Sequence, residues 1–203
     1  MNQEELHAKY GEAEVIVLPE TEIAYVPLKG PFFRDEDIDF CMQKAIPMKR
    51  YLAENDPSFK QVISYAVLQR WETRETFVTR RLAGDSRLKG QCSIGIGGHM
   101  EGNETLFEAA FRELREEVGL APEDAVTARR IGYILDNSSP VNSVHLGIVW
   151  HMYIAPNVDI SVKETEKLAG WWASEDEMLA LYKGGQLESW SNFVYKALLK
   201  GAK

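Results

Sequence analysis

The sequence predicts an α/β sandwich. Three observations carry this: two regions, 59–82 and 127–154, hold strand-like runs rich in β-branched and aromatic residues, a strongly amphipathic helix lies between them, and capped amphipathic helices close the chain after Ser174. Composition sets the frame. A chain of 203 residues, 45% hydrophobic and 27% charged, is long enough to bury one sizeable core. Its net charge of -8 argues against a broad nucleic-acid surface or an anionic-membrane surface. A small phosphorylated substrate stays open, because a bound divalent ion inverts the local charge.

Cys41 and Cys92 are far apart, without metal-ligand spacing, and read as buried apolar residues in a reducing compartment. No apolar run approaches the roughly 20 residues that span a bilayer. The first residues, MNQEELHAKYGEAE, lack a basic region followed by an apolar core, so the cytoplasm is the expected location.

In chain order, residues 1–13 are polar and read as frayed or weakly helical. Glu14 to Pro19 and Glu22 to Val26 are short apolar runs that suit a hairpin turning at Glu20-Thr21. Asp35 to Ala45 has apolar residues at helical spacing, and Pro47 interrupts it and opens a second short helix through Leu52. Asp56-Pro57 closes this α+β extension of residues 1–57, and 58–203 form the main domain. KQVISYAVLQRW and ETFVTRRL make an antiparallel pair around Glu72 to Arg74, and QCSIGI leads into Gly97. Thr127 to Leu135 and Val144 to Ile154 are strands; the second is almost uniformly apolar and belongs in mid-sheet. Ser161 to Lys167 is a charged loop before the short run LAGWW. Ser174 with Glu177 is a capping box for a helix ending at Gly184-Gly185, and Leu187 to Lys200 is the last helix.

Gly97 to Leu120, GGHMEGNETLFEAAFRELREEVGL, organises the rest. Thr105 and Glu108 form a capping box and Gly119 supplies the left-handed terminus, so the helix starts just after Thr105. Phe107, Ala110, Phe111, Leu114 and Val118 make its apolar stripe. Glu113, Glu116 and Glu117 (i, i+3, i+4) share an arc beside that stripe, where they repel one another unless a cation joins them. Crowded carboxylates in a cleft are the hard oxygen donors that Mg²⁺ or Mn²⁺ prefers. Arg112 stands one turn from Glu108 and Glu116 and can hold a carboxylate in one rotamer. Gly97 and Gly98 permit a sharp turn and close backbone approach to a ligand, with a carbonyl able to join a metal shell.

This stretch resembles the Nudix box, G-x5-E-x7-R-E-U-x-E-E-x-G-U with U apolar. Gly98, Glu104, Arg112, Glu113, Leu114, Glu116, Glu117, Gly119 and Leu120 match every fixed position. The bland alternative is a salt-bridged surface helix with a glycine cap, which the upstream Gly98 and Glu104 disfavour. The resemblance implies the Nudix α-β-α sandwich with a mixed β-sheet over the main domain. It also implies hydrolysis of the pyrophosphate bond in a nucleoside diphosphate linked to another moiety, with Mg²⁺ or Mn²⁺ as cofactor. Carried over by position, Glu116 and Glu117 would bind metal with the Gly97 carbonyl. Glu113 would be a further ligand or the base, Arg112 would orient carboxylates, and Glu104 would lie further out. A late-loop base is open, with Glu166 preferred over Glu164. Homodimers are frequent among such relatives.

Recognition residues should lie outside the box. Trp71, Trp171 or Trp172 could stack on a base, although strand tryptophans are more often core; Arg80 and Arg81 could meet phosphate, although exposed arginines usually meet water. His145 and His151 read as satisfied core histidines, and His99 as an ordinary loop histidine. Two alternative functions stand beside hydrolysis. A Nudix-fold nucleotide sensor would commonly lose box glutamates, which this chain keeps. An isopentenyl-diphosphate-isomerase-like enzyme would carry a cysteine where Gly97 stands.

Overall fold

The computed structural model describes residues 1–23, 32–33, 38–82 and 90–201. Helix α1 (Gln3–Tyr10) is better formed than the frayed end expected of residues 1–13. Asn2 and Glu5 cap it reciprocally at 2.8 and 2.9 Å, and Leu6 is buried. Strand β1 (Glu14–Pro19) runs into a single helical turn, α2 (Glu20–Ile23), so the hairpin expected here does not form: Glu22 and Ile23 are helical, and 24–26 lie outside the described residues. Val15 to Leu18 are all buried, and β1 finds its partners further along the chain.

Next come β2 (Phe32–Phe33) and α3 (Ile38–Met42); the helix expected over 35–45 ends at Met42, and Gln43 to Ala45 leave it in a turn. Pro47 does not open a helix. It lies in β3 (Ile46–Lys49), opposite Ile16 of β1, and the helix starts later, as α4 (Arg50–Ala53). Among the described residues β3 pairs with β1 alone, and such an edge strand tolerates a residue without a ladder N–H.

Strands β4 (Phe59–Arg70) and β5 (Thr76–Arg81) form the expected antiparallel pair, Gln69 opposite Thr76, around a turn in which Arg74 has φ +63°. Short strands β6 (Cys92–Ser93) and β7 (Gly95–Ile96) lead to α5 (Leu106–Val118). Then follow β8 (Ala125–Leu135), β9 (His145–Ile154), β10 (Leu168–Ala173), α6 (Glu175–Lys183) and α7 (Ser189–Gly201). The sheet order is β10-β5-β4-β9-β8-β2, with β1 also on β4, so β9 is internal as its apolar sequence requires. LAGWW is more than a short run: as β10 it pairs with β5 from Leu168↔Arg81 to Ala173↔Thr76.

The chain divides into two compact units. One comprises 1–64, 98–109 and 131–149, so the first 57 residues fold with parts of the chain far beyond them. Its core includes Leu18, Ile38, Val62, Met100, Tyr133 and Ile148. Lys60 is buried there at 2% exposure, and its Nζ donates to the Ser143 carbonyl (2.6 Å) and pairs with Glu20 (3.2 Å).

The other unit comprises 65–97, 110–130 and 150–203. It holds a buried polar network in which the Tyr65 hydroxyl donates to Glu188 (2.9 Å) and meets Ser191 Oγ (2.7 Å), while Ser191 Oγ accepts the Ile94 N–H (2.9 Å). Gly95 passes so close to the Tyr65 ring that a Cβ would sit 2.0 Å from its Cζ. Cys41 and Cys92 are both buried. Among the described residues no helix is long and apolar enough to cross a membrane.

Candidate active site

Helix α5 starts where its sequence dictates. Glu108 Oε2 accepts the Thr105 N–H and hydroxyl, both at 2.8 Å, and Thr105 Oγ1 accepts the Glu108 N–H at 3.2 Å. Those bonds hold the Glu108 carboxyl below its usual range. At the other end Gly119 takes φ +77°, and the Leu120 N–H donates to the Leu114 carbonyl at 3.2 Å.

Ala109, Ala110, Phe111, Leu114 and Val118 are buried. Phe107, expected in the stripe, is 43% exposed: it is on the right face by angle but in the first turn, where part of the ring stays in solvent. The same wheel sorts the three glutamates. Glu113 and Glu117 lie on one side of Ala110 and are partly buried, whereas Glu116 points further out; the Glu113 side chain is 13% exposed and that of Glu116 63%.

Arg112 spans two of them. Its Nη1 donates to Glu113 Oε1 at 2.6 Å and lies 3.7 Å from Glu116 Oε2. Glu117 has a different environment. Burial, then the charges of Glu113 and Glu164, push its carboxyl up to about 7; Arg81 pulls it back, and Glu116 adds to the rise. A half-buried carboxylate among three others, with a guanidinium in range, is a place where negative charge is poorly compensated. That is the electrostatic condition that a divalent ion relieves, and the donors present are all hard oxygens. Among the described residues no three His, Cys, Asp or Glu side chains are already gathered as a ligand set.

The other sequence-selected residues fall as follows. Gly97 directly follows β7, and the Gly98 carbonyl is taken by the Ser64 N–H at 2.9 Å. Glu104 Oε1 accepts the Glu101 N–H at 2.6 Å. Both late-loop acids are exposed and bear on Lys167; the charge of Glu164 bears on Glu117 as well. Arg81 is the strand arginine whose charge bears on Glu117; Arg80 lies over the Trp171 ring at 5.3 Å. Trp172 meets Phe77 edge-on and carries Arg70 over its ring, and Trp71 is 45% exposed against Tyr153.

Two of the histidines, His145 and His151, are satisfied. His145 Nδ1 donates to the Val141 carbonyl at 2.6 Å, and His151 Nε2 to Gln69 Oε1 at 3.2 Å; burial lowers both pKa values. The His99 and His145 rings meet at 5.4 Å. Sequence reasoning missed Lys163, whose main-chain N–H donates to the Glu117 carbonyl at 2.9 Å. A lysine inside a charged loop carries no signal of that kind.

Similarity to known proteins defines the class, a pyrophosphohydrolase. Residues 60–191 match the NUDIX domain family model, and the chain belongs to that family. It is 39% identical over 160 residues to protein YmaB of Bacillus subtilis (strain 168), covering 74% of this chain and 77% of that one. Among solved structures it is similar to Tm1382, provisionally a Nudix hydrolase, at TM-score 0.74 and 25% identity over 92% of this chain and 98% of the other. It also resembles DR0079 of Deinococcus radiodurans, at TM-score 0.55 and 17% identity over 83% and 98% of the two chains, which is a likeness of fold alone. The fold is thus the Nudix α-β-α sandwich.

Proposed function

We propose that this Nudix enzyme is a divalent-metal-dependent hydrolase of a nucleoside diphosphate linked to a second moiety, with Mg²⁺ or Mn²⁺ as the cofactor. The observation that carries this is Glu117, a carboxylate held half-buried among Glu113, Glu116 and Glu164. Glu116 and Glu117 would hold the ion together with the Gly97 carbonyl, and Glu113 would complete the set or take the proton from the attacking water. When bound, a divalent ion neutralises phosphate oxygens and lowers the pKa of water.

The chain's own groups do the rest. Arg112 keeps Glu113 and Glu116 in defined rotamers until they are needed. Arg81 brings a positive charge to the carboxylates, where it can meet a phosphate oxygen. If the base lies in the late loop, Glu164 is better placed than Glu166, because its charge reaches Glu117. The buried cysteines suit a reducing cytoplasm, and a homodimer is a possible assembly.

The test is a panel of ADP-ribose, nucleoside triphosphates, dinucleoside polyphosphates, coenzyme A and capped RNA, each with Mg²⁺, Mn²⁺ or EDTA. Phosphate-containing products that require the metal, and that Glu117→Gln reduces by orders of magnitude, are expected. Metal-independent turnover, or full activity in Glu117→Gln, would remove this assignment. Allylic product from isopentenyl diphosphate would identify the isomerase instead.

A further inference from the structure

One residue joins the segment between β9 and β10 to the end of α5. Besides its main-chain bond to Glu117, Lys163 donates from Nζ to the Arg115 carbonyl at 2.5 Å. Both acceptors lie in the last turn of α5, where carbonyls have no partner within the helix and where the helix dipole favours a cation. The segment is anchored on both sides of Lys163. Ile160 and Val162 are buried, and the Glu164 carbonyl accepts the N–H groups of Lys167 and Leu168, at 2.9 Å each, where β10 begins. The Glu164 carboxylate is held in turn by Lys167 Nζ at 2.9 Å. Gly119 leaves the stem its path, since a Cβ there would touch Lys163 Cε at 3.7 Å.

We propose that Lys163 is a positioning residue for the pyrophosphohydrolase site, tying the 155–167 segment to the last turn of α5 so that the Glu117 main chain is fixed and Glu164 is held beside it. This rests on the metal-dependent reading above. The ammonium has no part in holding substrate or ion; it acts through Glu117, the proposed ligand, and through Glu164, whose charge bears on it. A helix-end cation with no such role would affect melting and nothing else.

Mn²⁺ alone is the probe. Full-length wild type, Lys163→Met, Lys163→Arg and Glu117→Gln are titrated and bound ion is read by EPR, with melting measured alongside. Lys163→Met is expected to weaken Mn²⁺ binding roughly 10- to 100-fold, the range found when groups that orient metal ligands are removed, and Lys163→Arg to restore most of it. On whichever panel substrate the wild type hydrolyses, kcat falls in the same proportion while KM holds. Should Lys163→Met not fold, Lys163→Gln is judged by the same criteria.

Lys163→Met that melts earlier yet binds Mn²⁺ as tightly as wild type overturns the proposal. With Glu117→Gln failing to bind, that result sinks the role of Lys163 and leaves the metal site standing. Wild type that binds no Mn²⁺ overturns the metal site and the positioning role together.

Discussion

Glu117 makes the metal-free protein less stable as it ionises, and Glu117→Gln isolates the effect. The carboxyl sits at about 7 in the folded chain against an ordinary 4.5, so between those values the folded state binds a proton that the unfolded state has released. Stability therefore declines as pH rises through that window and levels off above about 7. At about 1.4 kcal/mol for each pKa unit the full displacement is worth roughly 3 kcal/mol, and residual solvent access reduces this to about 1–3 kcal/mol.

For a chain of this length that corresponds to a melting difference of roughly 2–10 °C. The assay is differential scanning calorimetry in EDTA at pH 5 and pH 8. Glutamine imitates the protonated acid, so the variant should melt close to wild type at pH 5 and above it at pH 8. Mn²⁺ at pH 8 should then raise the melting point of wild type but not of the variant. An equal difference between the two proteins at both pH values would refute the electrostatic account of this site.

Three further outcomes are expected. Arg81→Gln removes the cation that pulls Glu117 down, so the pH at which metal-free stability levels off should move upward; an unchanged profile would mean that Arg81 does not face the carboxylates. Gly95→Ala would drive a methyl into the Tyr65 ring and should cost more than about 3 kcal/mol, visible as a collapse in melting temperature or in soluble yield. Ser191→Ala leaves the buried Ile94 N–H without its acceptor and should cost about 1–3 kcal/mol by urea unfolding, with Mn²⁺ binding unchanged.

What the sequence disclosed and what it concealed follow from the range of the forces involved. The ends of α5 were legible because Thr105, Glu108 and Gly119 act within a turn of themselves, and the internal place of β9 because a strand without polar alternation needs cover on both faces. The family resemblance rests on the same local spacing. The partners of β1 were not legible, since they lie beyond α2 and α3 and nothing near Glu20 announces them. Pro47 sits in a strand because a proline signals a break only where an N–H is needed, and edge position is a property of the sheet. In the site, helical angle placed the three glutamates together, but Arg81 and Glu164 reach Glu117 only through folding.

The grip of Arg112 on Glu113 and Glu116 sets a threshold for any newcomer. A potassium or sodium ion offers those oxygens no more charge than the guanidinium already gives, so it has no means of drawing them away. Two charges on a small radius do. If these carboxylates hold the ion as proposed, a preference for doubly charged ions over the far more abundant alkali cations would follow from the resting side chains, before any substrate arrives.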